Sequence, residues 1–292
     1  MRHLLRRLDG TLRAGTRLGM FLLVFAAGAA LLAGLFYLVH FPQQKIHGVV
    51  QPLPMLGTGI GIIAVSLGAT WLCLYFIEHR SFDFIALAGG GAWRRAVPIG
   101  LALGMIVPIV VAVVLRGTGH ATIEASGLSS SDVLRQTLPM LGASVLLSSW
   151  EEIVYRGYPF RLLNEMGGVW FGTMLTGVAF GLSHSGNPGA NPIGLANTAL
   201  NGVLLGWIVL RTGSLWLACG YHAGWNIAAT ELVGMTDSGV RSLGSVFTTT
   251  LSGPGWLSGG DYGFEGSVLT GVGETIVLTL VLILASRRLA RV

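Results

Sequence analysis

Apolar residues come in long runs along this chain, and polar residues gather between them. A helix crossing a bilayer needs about 20 mostly apolar residues, since each adds roughly 1.5 Å toward about 30 Å of hydrocarbon. Eight runs reach or approach that length: Leu18–His40, Met55–Ile77, Ala96–Leu115, Val133–Ile153, Val169–His184, Ile193–Leu210, Ser214–Val233 and Ser267–Ala285. The fourth carries two glutamates and the fifth is short. The pattern predicts an all-α, polytopic membrane helical bundle of about eight transmembrane helices. Residues 1–292 form one integral membrane domain in this reading, with no internal repeat and no loop able to hold a soluble domain. The first run continues unbroken past Ala26-Ala27-Gly28, which predicts a retained helix rather than a cleaved leader. The connection Gly234–Gly266, rich in glycine, serine and threonine, reads as an extramembrane loop.

Composition agrees. The chain is 52% hydrophobic and 11% charged, against about 25% charged in a typical soluble domain, so the apolar surplus calls for lipid. Cys73 and Cys219 sit inside apolar runs and read as small buried hydrophobes. The basic residues are unevenly placed. Arg2, Arg6, Arg7, Arg13 and Arg17 precede the first run; Arg80, Arg94, Arg95, Arg156, Arg161 and Arg211 flank inner connections; Arg287, Arg288 and Arg291 close the chain. Only Lys45, Arg116, Arg135 and Arg241 fall on the other side. Since cytoplasmic segments collect lysine and arginine, both termini are expected in the cytoplasm. The net charge of +5 arises from these flanks and suits anionic lipid rather than nucleic acid.

Ionisable groups inside apolar runs are costly and mark function by default. Glu151-Glu152-Ile153-Val154-Tyr155-Arg156 directly follows the run Leu141–Trp150. Glu152 and Arg156 are four residues apart and share a helix face, the spacing of an ion pair, while Glu151 points about 100° away. One glutamate can therefore be structural while its neighbour stays free for chemistry. Phe180-Gly181-Leu182-Ser183-His184 ends the fifth run, and His222-Ala223-Gly224-Trp225-Asn226 lies in the seventh, with His222 and Asn226 again on one face. Taken singly, each has a structural explanation as a clamp or as helix-to-helix glue. Glu231 and Glu274 lack partners at a useful spacing and read as structural, as do His40, His47, His79 and His120 at run ends or in loops. Together, a carboxylate, two imidazoles and a carboxamide supply a base, a proton carrier and oxyanion donors.

In this order the motifs EExxxR (Glu151, Glu152, Arg156), FxxxH (Phe180, His184) and HxxxN (His222, Asn226) resemble those of the CAAX protease and bacteriocin-processing family. This family of intramembrane proteases includes the Ras-converting CAAX prenyl endopeptidases. The resemblance spans roughly Val133–Val233, the expected catalytic core of residues 133–233. It implies an endopeptidase acting on a membrane-associated protein or peptide within an all-helical core, without fixing the substrate. An arginine-, alanine- and glycine-rich chain with one lysine is associated with bacteria, hence with the bacterial cytoplasmic membrane and a non-prenylated substrate.

The expected mechanism is water attack on a peptide carbonyl. Glu151 with His184 acts as base, His222 and Asn226 stabilise the oxyanion, and Arg156 orients the glutamates through Glu152. No cofactor is required in that scheme. Zinc held by Glu151, His184 and His222 is the alternative, although HExxH is absent. A proton-coupled transporter and a non-enzymatic immunity or scaffold protein also remain open. Gly167-Gly168 stands 16 positions from Glu151 on one side and from His184 on the other, so a hairpin there would bring the two to one height. His222 lies about 12 Å along its helix from Ser214, and His184 about 24 Å from Gly168. The depths agree if the hairpin tip protrudes and the loop Ser185–Pro192 sits within the membrane profile. A cytoplasm-facing polar cavity is expected.

Overall fold

The computed structural model describes residues 12–42, 45–46, 49–87 and 89–289. Arg2, Arg6, Arg7 and Arg291, on which part of the charge asymmetry rests, lie outside the described residues, as does His47.

Each apolar run is helical. Helix α1 spans Ala14–Leu38, and α2 spans Pro52–Cys73 with a wide π turn at Leu74–Glu78. The third run is broken at Met105 into α3 (Trp93–Gly104) and α4 (Ile106–Gly117). Then come α5 (Ser130–Arg156), α6 (Tyr158–Ser183), α7 (Pro192–Thr212) and α8 (Leu215–Asn226), which continues as a π turn over Ile227–Val233. A short α9 (Gly255–Ser258) precedes α10 (Val268–Leu289). Local signals set the boundaries. Ser129, Asn191 and Ser214 cap α5, α7 and α8 by accepting hydrogen bonds from the backbone N–H of Asp132, Gly194 and Leu217. Pro52 and Pro192 occupy first-turn positions, where the missing N–H costs nothing.

By length and composition, five described helical stretches can cross a membrane: Ala14–Leu38, Pro52–Glu78, Trp93–Gly117, the bent Ser130–Ser183 and Pro192–Thr212. On α1 only Ala14 and Phe21 are buried, while Leu23 and Leu31 are 73% and 76% exposed. A helix apolar all round with so little protein cover requires lipid.

Glycine sets how closely the inner helices approach. A Cβ on Gly100 or Gly104 of α3 would strike the carbonyl oxygens of Leu217 and Tyr221, and one on Gly220 or Gly224 of α8 those of Val97 and Leu101. Two small-xxx-small faces thus pack backbone to backbone, as apolar helices do when no hydrophobic force drives them together. Helix α6 is kinked at Gly168, which adopts φ 83° and ψ 172°, a conformation glycine reaches without steric cost. The kink brings Gly172 against Asn164, and it falls at the glycine pair where the sequence predicted a turn. A second bend at Gly157, between α5 and α6, was not expected.

Arg17, read from the sequence as a flanking charge, is instead mostly buried. It donates to Glu78 at 2.8 Å and to Glu165 at 2.5 Å, while the Tyr158 hydroxyl donates to Glu78 at 2.7 Å. This network ties α1 to the end of α2 and to α6.

The connection Gly234–Gly266, expected as an extramembrane loop, is ordered by strand pairing into a cover. Its strand β4 (Arg241–Ser242) runs parallel to β2 (Val49–Val50), which pairs antiparallel with β1 (Lys45–Ile46). Its strand β5 (Phe247–Leu251) pairs antiparallel with β3 (Ala121–Ala125), setting Ala121 opposite Leu251. These pairings gather the connections after α1, α4 and α8 together. Gly189 of the loop after α6 packs against Asp261 and Tyr262 of the same cover.

Candidate active site

Helices α5 and α8 run antiparallel and meet along a polar seam. Ser144, Ser148, Glu152 and Arg156 recur every fourth residue on α5, one stripe of a 3.6-residue helix. Facing them, His222 meets Glu152, Asn226 meets Ser148 and Glu231 meets Ser144. His222 and Asn226 are four residues apart, but Asn226 and Glu231 are five. The π turn Ile227–Val233 supplies that extra residue; an unbroken α-helix would set Thr230 opposite Ser144 instead.

Glu152 is the hub of the seam and is fully buried. Its Oε1 accepts from Arg156 Nη1 at 3.0 Å and from His222 Nδ1 at 2.9 Å. Because a carboxylate only accepts, the proton of that second bond belongs to His222 Nδ1. This fixes the ring and turns Nε2 toward the other glutamate, 3.6 Å from Glu151 Oε2. Arg156, also fully buried, lies 4.3 Å over the Phe180 ring, and its Nη2 fills the space a side chain at residue 202 would take, which glycine leaves open. The cation is thus held by one carboxylate and the ring faces of Phe180 and, at 5.6 Å, Tyr155.

His184 is held by its own helix end. Its Nδ1 donates to the Phe180 carbonyl at 2.9 Å, leaving Nε2 free. The Phe180 ring stands edge-to-face with both His184 and His222, at 4.8 and 5.8 Å, so the phenylalanine of FxxxH spaces the two imidazoles. Asn226 Nδ2 donates to Ser148 Oγ at 3.1 Å, a partner the sequence did not suggest.

These groups border a cavity of about 280 Å³. Glu151, His184, His222 and Asn226 line it from the helices, and Asp237 and Glu265 from the cover. All the residues expected at the site are therefore together, with Glu151 on the wall and Glu152 and Arg156 behind it. Glu151 stands beside His222, and no contact joins it directly to His184 among the described residues. A polar cavity was expected, and part of its lining comes from the cover Gly234–Gly266. Asp237 and Glu265 had no sequence signal beyond being acidic residues in a loop poor in charge. Glu231, read as structural, is buried and accepts from Ser144 at 3.1 Å.

Residues 133–228 match the family model described as type II CAAX prenyl endopeptidase Rce1-like. The resemblance drawn from the three motifs holds. The matched segment begins within α5 and ends just beyond Asn226, so it contains the whole seam except Glu231. The uncharacterised protein YyaK of Bacillus subtilis (strain 168) is 24% identical over 216 residues, 70% of each chain. At the level of the family, the Rce1-like match supports a CAAX-type membrane endopeptidase, with a lipid bilayer around it and a peptide substrate. As to metal, no three His, Cys, Asp or Glu side chains form a metal-holding group among the described residues. Glu151, His184 and His222 would have to draw together to hold zinc.

Proposed function

We propose that the protein hydrolyses a peptide bond of a membrane-associated protein or peptide, using a water activated by Glu151. The observation carrying this reading is the division of labour between adjacent glutamates. Glu152 is consumed by Arg156 and His222, whereas Glu151 borders the cavity with the free Nε2 atoms of His184 and His222 nearby. Glu151 takes a proton from the water as its oxygen attacks the carbonyl carbon, with His184 accepting a second hydrogen bond to orient it. Negative charge moves to the carbonyl oxygen, where His222 and Asn226 donate. As an imidazolium, His222 with Arg156 balances Glu151 and Glu152, so these four groups together carry no net charge. The carbon–nitrogen bond then breaks, and Glu151 returns its proton to the departing amine.

No metal enters this scheme, and a zinc enzyme built on Glu151, His184 and His222 is the competing proposal. Both termini are assigned to the cytoplasm on the basic-residue distribution alone. The function is tested by reconstituting the purified protein in lipid nanodiscs with peptide reporters anchored to the bilayer, prenylated and not. Cleavage products are mapped by mass spectrometry. Site-specific cleavage lost in Glu151→Gln supports the proposal. Intact reporters with wild-type protein across the set would favour the transport or scaffold readings.

A further inference from the structure

The cavity is acidic in a protein that is basic overall. Three of the 13 acidic residues, Glu151, Asp237 and Glu265, line it, and no lysine or arginine does among the described residues. Asp237 and Glu265 belong to the cover and are 7% and 6% exposed. Their backbones are fixed. The Asp237 N–H donates to the Val240 carbonyl at 2.9 Å, Phe264 N–H to the Thr236 carbonyl at 3.2 Å, and Asn197 Nδ2 to the Glu265 carbonyl at 2.6 Å.

Their side chains differ. Glu265 Oε2 accepts from the Ser238 hydroxyl, and the Asp237 and Glu265 carboxyls are hydrogen-bonded to each other, which leaves Asp237 Oδ1 buried without a partner. A buried polar oxygen is costly unless something answers it. Burial and the neighbouring Glu265 carboxylate hold the Asp237 carboxyl well above the ordinary carboxylate range, with Glu151 adding in the same direction. A cation beside the pair would reverse each of these effects.

What could bring that cation? The three carboxylates do not form a metal-holding group. The volume of about 280 Å³ falls at the small end for ligand pockets and suits a side chain or two with adjoining backbone. Glu151 lies on the same wall. A peptide laid across it with its reacting carbonyl at Glu151 reaches Asp237 and Glu265 with a neighbouring side chain.

We infer that Asp237 and Glu265 form a specificity subsite that selects peptides carrying a lysine or arginine close to the bond cleaved. The hydrogen-bonded pair meets the cation together: Asp237 offers its unpartnered Oδ1, and Glu265 is held in place by Ser238. The inference rests on the peptidase reading for what is bound, not on whether cleavage follows.

The test uses quenched-fluorescent peptides that differ at one position, bearing Lys, Gln or Glu, scanned over three positions on each side of the cut. Full-length protein is held in nanodiscs of zwitterionic lipid, so that the bilayer does not concentrate basic peptides. The expected result for wild type is a Lys-over-Gln ratio in kcat/KM of at least about tenfold at one position, with Glu disfavoured further; tenfold corresponds to about 1.4 kcal/mol. Asp237→Asn brings that ratio near one, and Glu265→Gln lowers it. A second arm measures equilibrium binding of the same peptides to Glu151→Gln protein by fluorescence anisotropy. Cleavage with no preference among Lys, Gln and Glu in wild type overturns the inference and leaves the peptidase reading intact, whatever the variants do. Preferential binding of Lys peptides, abolished by Asp237→Asn but with nothing cut, upholds the subsite and overturns the peptidase reading. Peptides neither bound nor cut overturn both.

Discussion

Replacing each glutamate of the EE pair in turn separates chemistry from architecture. Glu152 and Arg156 are both fully buried and joined at 3.0 Å, and the same Glu152 oxygen holds His222 at 2.9 Å. Glu152→Gln leaves the volume nearly unchanged but strands the Arg156 cation, whose remaining close neighbours are aromatic faces. Removing one partner of a buried pair costs about 3–5 kcal/mol. In a chain of this size each kcal/mol lowers the melting temperature by about 2 °C. The variant should therefore unfold about 6–10 °C below wild type on the same two constants. Glu151 has a different setting. It is part-exposed on the cavity wall, and it makes an ionic contact with His222 Nε2 at 3.6 Å. Glu151→Gln should shift melting by about 2 °C or less, as expected near the surface of a cavity, while turnover falls below detection. Both variants would be purified in one detergent, and melting followed by tryptophan fluorescence alongside peptide hydrolysis. A Glu151→Gln protein as unstable as Glu152→Gln would refute the division of labour. So would a stable, active Glu152→Gln protein, which would show that Arg156 needs no carboxylate.

Four further outcomes follow from particular contacts. His222→Ala and Asn226→Ala should each lower kcat by about 10²–10³ with KM little changed, as steady-state kinetics would show; a defect confined to KM would reassign them to substrate positioning. Gly104→Val and Gly224→Val push a side chain into the Tyr221 and Leu101 carbonyls, so both should lower yield and melting temperature, whereas Gly68→Ala, with open space around it, should be silent. Reporter fusions after Val292 and within Gly234–Gly266 should report cytoplasm and periplasm respectively; the reverse would invert the proposed orientation. Elemental analysis should find no stoichiometric zinc and chelation should leave hydrolysis intact; activity lost on chelation and restored by zinc alone would establish the metal reading.

Which parts of this molecule could be read from its sequence follows from how local each cause is. Helices are local: an apolar run of about 20 residues has little alternative in lipid, and all eight runs are helical. The Glu152–Arg156 pair is local as well, since four-residue spacing on one helix decides it. The kink needed only Gly168, where an L side chain would be strained at φ 83°. Other features have causes far apart in the chain. That the cover reaches the site depends on β4 finding β2 and β5 finding β3, pairings across more than 100 residues with no periodic signature in two- and five-residue strands. Arg17 looked like a membrane-flanking charge because Glu78 and Glu165, its partners, lie 61 and 148 positions away.

The seam shows why even the well-read motifs were incomplete. EExxxR and HxxxN announce that each helix has a polar stripe, but neither contains the register between them. That register is set by the glycine-to-carbonyl contacts of α3 with α8 and by the π turn after Asn226. Glu231 falls five residues beyond Asn226, so an α-helical count turns it off the stripe, and it reads as an isolated carboxylate. With the π turn in place it is the third rung of the seam, opposite Ser144. Glu231→Gln keeps the hydrogen-bonding shape and should leave the upper rungs undisturbed, whereas deleting Thr230 to restore α-helical spacing should rotate the segment after it. The cover is hung from that segment, through the Val246 N–H to the Glu231 carbonyl at 2.8 Å and the Thr249 hydroxyl to the Val233 carbonyl at 2.6 Å. The deletion should therefore displace Asp237 from the cavity and abolish peptide binding while His222 still meets Glu152. Hydrogen exchange of residues 234–266, compared between the two variants, measures this. Equal protection in both would mean that the π turn does not carry the cover.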